Sequence, residues 1–279
     1  MSNVDRQARR DRRSSPVKPR EVAEANISRS ARVGTGSVVA GVGAGGYGIL
    51  SLLAALVFSW ALLAPLNFGY SVWLDHGGIG EGIDRFGVKN KFKSGFSDTT
   101  RAQRIQLFAA INLSVHKGGD GLADIRYQTS SSFGEQQLLR APEIQHLEDV
   151  AKLLQTLFWP ALLIVVLWGG LSTIYLRRHR LPKLKHQLVG VGALLSLSFT
   201  VLFVVGAERV FNQLHIWVFP AGHQWFFYYQ ESLMSTLMMA PTLFAWIALA
   251  LLLATLIVFF GLQWLMAHWL SKRYLAKTY

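Results

Sequence analysis

The sequence predicts a mostly α-helical protein, a four-helix transmembrane bundle with a small extracytoplasmic domain between spans one and two. Composition is the first observation behind this. Of 279 residues, 51% are hydrophobic and only 16% charged, whereas an ordinary soluble domain carries about 25% charged residues. The second is distribution: the apolar residues collect in four runs, 46–66, 157–176, 188–206 and 243–266, and none of them contains Lys, Arg, Asp or Glu. Each is close to the roughly 20 residues that cross a bilayer as a helix.

Residues 1–45 carry nine Lys and Arg against four acids and show almost no apolar periodicity, which predicts a disordered basic cytoplasmic arm. Gly41, Gly43 and Gly46 match a dinucleotide-binding spacing. That fingerprint needs a strand before it and a βαβ unit around it; a membrane span follows instead, so the match is accidental. The first span is read as an uncleaved anchor, because its apolar run exceeds a signal-peptide core.

The remaining Lys and Arg set the orientation. The connection at 177–187 holds five and no acids, and the tail at 267–279 holds three and none. The positive-inside rule puts both termini and that connection in the cytoplasm, and segments 67–156 and 207–242 outside. The formal net charge of +12 is therefore topogenic. No nucleic-acid-binding pattern accompanies it, so nucleic acid is not expected as a partner.

Segment 67–156 is long enough for a small domain and balances ten basic against ten acidic residues. Its first part, Phe68 to Lys93, is Gly-rich and reads as irregular. Thr99 or Thr100 can cap a helix through Ile105, Phe108, Ile111 and Val115, ended by Gly118-Gly119. A short extended piece, Gly121 to Gln128, and a polar Ser/Thr stretch follow. A second helix starts near Pro142 and runs into the second span. Segment 207–242 is dense in aromatics, among them Phe211, Trp217, Phe219, Trp225, Phe226 and Phe227. Such rings favour the headgroup level, so this segment is expected to lie along the outer interface.

There are no cysteines, which excludes disulfides, thiolate metal ligation and a cysteine nucleophile. No phosphate-binding loop, serine-hydrolase elbow or zinc-protease motif occurs. The strongest polar constellation is Glu143, His146 and Asp149, at i, i+3 and i+6 and thus on one helical face. A carboxylate there can orient the imidazole as a general base. The alternative is an ordinary solvated helix end, and spacing alone favours it. A second segment brings His215 among aromatics, followed by His223 in a turn after Pro220. Two external segments thus deliver imidazoles to one membrane face, and two imidazoles can serve as base and acid in one acyl transfer. A single metal site using His146, Asp149, His215 and His223 stays open as an alternative.

At these two segments the chain resembles the bacterial lipoprotein intramolecular transacylases, an integral-membrane family of four spans. Glu143, His146, Asp149 and Val150 are similar to the family's first motif; Phe211, His215, Phe219 and Trp225 resemble its second, with Pro241 and Phe244 opening the last span. The likeness covers roughly residues 45–270. Where relatives show an acid or amide before the Trp, this chain has His223 and Gln224. The resemblance implies transfer of the sn-2 acyl chain of a diacylglyceryl-cysteine to its own α-amine. It implies His146 and His215 as the catalytic pair, His146 as base and His215 as returning acid or the reverse, with Glu143, Asp149, His223 and Trp225 in support. The implied partners are a diacylated lipoprotein or membrane lipid substrate and the membrane; no cofactor and no metal are implied. Two other readings predict different behaviour: a non-enzymatic membrane subunit or lipoprotein-handling accessory, and a metal-dependent lipid hydrolase.

Overall fold

The structure is a computed structural model that describes residues 19–129 and 134–275. Helix α1 runs Pro19–Leu63 and passes through a short 3-10 segment, Ala64–Gly69, into α2, Tyr70–His76. Helices α3, Ile79–Gly87, and α4, Arg101–His116, precede a two-stranded antiparallel hairpin of β1, Arg126–Gln128, and β2, Glu135–Gln137. Next come α5, Ala141–Arg177, α6, Leu184–Val205, α7, Ala207–Val218, α8, Leu233–Met238, and α9, Thr242–Leu275. Four helices, parts of α1, α5, α6 and α9, are long and apolar enough to cross a membrane, and the protein is a multi-pass, mostly α membrane protein.

Two expectations change. The segment 19–45, read as a disordered arm, is the start of α1; Pro19 suits a first helical turn, and no further proline interrupts the run to Leu63. Residues 1–18 of that arm lie outside the described residues. The region after Phe68, read as irregular, is a pair of short helices. Its glycines separate them rather than unravel them: Gly69 and Gly78 precede α2 and α3 with φ of 74° and 76°, a left-handed backbone that a side chain would strain.

The first span is the hub on which α6 and α9, and to a lesser degree α5, pack. Small residues set the α1–α6 approach. A Cβ on Gly190 would lie 2.6 Å from the Gly45 carbonyl oxygen, and one on Gly48 would lie 2.7 Å from that of Gln187. Close backbone contact of this kind is how helices associate in lipid, where apolar burial gives no net drive. Polar groups inside the spans find each other: Tyr47 shares a 2.8 Å hydrogen bond with Ser172, and Trp168 donates to Ser51 at 3.2 Å.

The domain between spans one and two has its own core. Tyr70 stacks on Phe108 at 4.1 Å, and Ile79, Ile83, Phe96, Tyr127 and Leu139 are buried around them. Thr100 caps α4 by accepting from the Gln103 amide, as its sequence position predicts. Leu233, Met234, Leu237 and Met238 complete the core from α8. The second interspan segment is thus no simple surface strip: its last third is threaded into the first domain.

Candidate active site

Helix α5 is 37 residues long, about 55 Å at 1.5 Å per residue, well beyond a hydrocarbon core of about 30 Å. Apart from Arg177 at its last position, its charged residues Glu143, Glu148, Asp149 and Lys152 all precede residue 157, so its first four turns stand above the span. His146 lies on this projecting part. Helix α7 is amphipathic and exposed, with Trp217 and Ile216 open to the surroundings, as expected of an interfacial segment.

The chain from Phe219 to Phe227 brings the two helices together. His146 packs against Phe219 at a ring-centroid distance of 5.1 Å and against Phe227 at 5.9 Å. His215, on α7, packs on the same Phe219 at 5.2 Å, on Trp225 at 4.8 Å and on Phe211 at 4.0 Å. The two predicted histidines therefore share one aromatic wall, although 69 positions separate them.

Their states differ. The Nδ1 of His215 lies 2.8 Å from the Phe211 carbonyl oxygen. A carbonyl only accepts, so Nδ1 carries a hydrogen, and in the neutral ring the lone pair is on Nε2. Among the described residues His146 makes no hydrogen bond through its ring. Burial among the aromatics, reinforced by the nearby His215 and opposed by Asp149, pushes its pKa down to about 4. Desolvation favours the neutral ring.

The carboxylates expected to orient His146 do other work. Glu143 is fully buried, and accepts from the Ser232 hydroxyl at 2.5 Å, the Met234 amide at 3.2 Å and the Arg140 amide at 2.6 Å. It closes the start of α5 as a capping box and staples it to the start of α8. Spacing puts Glu143 on the face of His146; packing turns its oxygens the other way. Asp149, with a side chain only 4% exposed, binds His223 instead: Nδ1 to Oδ2 is 2.5 Å. The Lys152 ammonium lies 3.5 Å from the other carboxylate oxygen. On its far nitrogen His223 meets the Gln145 amide at 3.2 Å. The turn predicted after Pro220 forms, with the His223 amide bonded to the Pro220 carbonyl, and it delivers His223 to Asp149.

Ser232 and Gln145 were not foreseen. Ser232 carries a readable signal, since it caps α8 through the Ser235 amide; its bond to Glu143 spans 89 residues and leaves no local trace. Among the described residues no three His, Asp or Glu side chains converge to hold a metal ion, so the proposed quartet of His146, Asp149, His215 and His223 does not form a ligand set.

The family model "Lipoprotein intramolecular transacylase Lit" matches residues 125–244, which contain every residue of this site. Over that segment the chain is similar to the Lit family of membrane proteins. That family is one of enzymes. Two solved structures are similar to it across nearly their whole length, both of the membrane integral lipoprotein intramolecular transacylase Lit from Bacillus cereus. The first has a TM-score of 0.51 at 15% identity, covering 86% of this chain and 98% of the other. The second carries a histidine-to-arginine mutation and has a TM-score of 0.53 at 14% identity, covering 90% and 99%. At such identity they establish the Lit-like fold alone. No curated protein matches the chain.

Proposed function

We propose that this protein catalyses intramolecular O-to-N acyl transfer on diacylated lipoproteins, at a site facing outward from the bacterial cytoplasmic membrane with both termini inside. The observation that carries this reading is the pair of unlike imidazoles on Phe219, within the segment matched to the transacylase family. The orientation rests on the Lys and Arg distribution.

The reaction makes one N–C bond and breaks one O–C bond. The α-amine nitrogen of the cysteine attacks the sn-2 ester carbonyl, a proton leaves nitrogen, and the glycerol oxygen departs and gains one. Amine and ester belong to one molecule, so holding them in contact supplies much of the acceleration. We assign His215 as the base, because its Nε2 lone pair is directed by the Nδ1–H bond to Phe211. We assign His146 as the neutral donor to the developing oxyanion, a role suited to an imidazole whose pKa is depressed to about 4. The proton held by His215 then returns to the departing alkoxide. The acyl chains lie in the bilayer or between spans, alongside exposed apolar residues of α5 such as Phe158 and Trp159.

Mass spectrometry of a lipoprotein N-terminal peptide from cells with and without the protein tests this. The expected result is an isomeric product with the acyl chain on nitrogen, lost in His215→Ala and His146→Ala. Unchanged diacylglyceryl peptide in a host that presents the free α-amine would refute it. A docking protein would instead tolerate both histidine changes and fail when Trp217 or Trp225 is truncated.

A further inference from the structure

The proton balance of the reaction leaves one proton unaccounted for by two histidines. An N-terminal amine has a pKa of about 7.7–8.0, so near neutral pH most substrate arrives as ammonium. Ammonium plus ester gives amide, alcohol and one free proton. The His146–His215 pair moves a proton from the attacking nitrogen to the alkoxide; the first proton, which must leave before nitrogen has a lone pair, needs a separate acceptor with a route to water.

We infer that the Asp149–His223 pair is that acceptor, taking a proton from the substrate ammonium and releasing it to solvent; the inference rests on the transacylase reading above. The geometry has the required parts. Asp149 is buried and fixes the tautomer, because its carboxylate accepts from Nδ1 at 2.5 Å, which leaves the lone pair of His223 on Nε2. Among the described residues that nitrogen is met by the amide of Gln145, an exposed side chain able to move aside. The His223 side chain is 31% exposed, against 4% for Asp149, so it bridges a dry carboxylate and water. It is also beside the reacting pair: Asp149 is one turn from His146 on α5, and Trp225, two residues beyond His223, packs on His215. The titratable groups around His223 are Asp149 and Lys152 on α5, with His146 on that helix and His215 across Trp225. Glu148 points elsewhere, toward Gly119.

In the step, an N–H bond of the ammonium breaks, its proton joins Nε2 of His223, and the imidazolium formed is held by Asp149. Nitrogen keeps the electron pair with which it attacks the ester. Water or buffer then takes the proton from Nε2.

The test measures transacylation of a diacylated lipopeptide by the purified protein at pH 6.5 and pH 8.5, for wild type, His223→Gln and His223→Ala. Without His223 the enzyme depends on amine already free in solution, a fraction that rises about fifteen-fold over this interval. The ratio of His223→Gln to wild-type rate should therefore climb about tenfold from pH 6.5 to pH 8.5, and added imidazole should restore His223→Ala at pH 6.5. Thermal unfolding of each variant normalises the rates to folded protein. A ratio that is the same at both pH values, whether near one or uniformly low, would overturn this role and leave the transacylase reading intact. A wild type that forms no N-acyl product would overturn both.

Discussion

Glu143 offers the sharpest test of how the site is assembled, because its sequence position and its packing say different things. On sequence it shares a face with His146 and could orient it; in the structure it holds the Ser232 hydroxyl, the Met234 amide and the Arg140 amide, fully buried. Glu143→Ala strands three donors. An unmade hydrogen bond of a buried group costs about 1–3 kcal/mol, and rotation of the Ser232 hydroxyl relieves part of this, so the loss should be about 3–5 kcal/mol. For a chain of this size that is about 6–20 °C in melting temperature. Glu143→Gln keeps one acceptor and the volume but turns an NH2 group on a donor, and should cost about 1–2 kcal/mol. Thermal unfolding in detergent, followed by tryptophan fluorescence, reads both. Activity per folded molecule, and its pH profile, should be nearly unchanged in Glu143→Gln. The reasoning is refuted if Glu143→Ala melts with wild type while its activity disappears, because Glu143 would then act on the chemistry and not on the scaffold.

Further outcomes follow from the same geometry. His215→Ala and His146→Ala should each lower the transfer rate per folded molecule by about 10²–10⁴, checked by product formation normalised to folded protein from thermal unfolding. His146 has a folded pKa of about 4 against about 6.5 unfolded. The unfolded state therefore binds more protons between these values, and stability should fall as pH drops from about 6.5 toward 4, by up to about 3 kcal/mol; denaturation at several pH values should show this slope in wild type and lose it in His146→Gln. Phe219→Ala should admit water to the ring and raise its midpoint toward the ordinary histidine value, read by NMR titration of labelled histidine. Gly190→Val, whose Cβ would meet the Gly45 carbonyl oxygen at 2.6 Å, should force α6 from α1 and cost about 1–3 kcal/mol, seen in thermal unfolding.

The spans were legible because nothing but lipid explains four uncharged runs of that length, and the helix through Ile105 to Val115 because its period and its Thr100 cap agree. The two histidines were legible as residues: a carboxylate-spaced imidazole on a helix and another among aromatics. Their partners were not. Periodicity reports which residues share a face, so it grouped Glu143 and Asp149 with His146; it holds no information on which distant donor arrives first. Ser232 and His223 took those carboxylates from 89 and 74 residues away. The short helices at Tyr70–His76 and Ile79–Gly87 were hidden by glycines that terminate elements rather than dissolve them. The start of α1 was masked by a composition that resembles disordered chain.

The proposed reaction moves an acyl chain within one molecule, from glycerol oxygen to cysteine nitrogen, under two imidazoles. The direct measurement uses purified protein and a mixture of two diacylated lipopeptides, one isotopically labelled in its sn-2 acyl chain and the other in its peptide. Tandem mass spectrometry locates each label. The account predicts that the labelled chain reaches the nitrogen of its own peptide only, with total mass unchanged and no fatty acid released. Labelled acyl on the other peptide, or free labelled fatty acid, would contradict it.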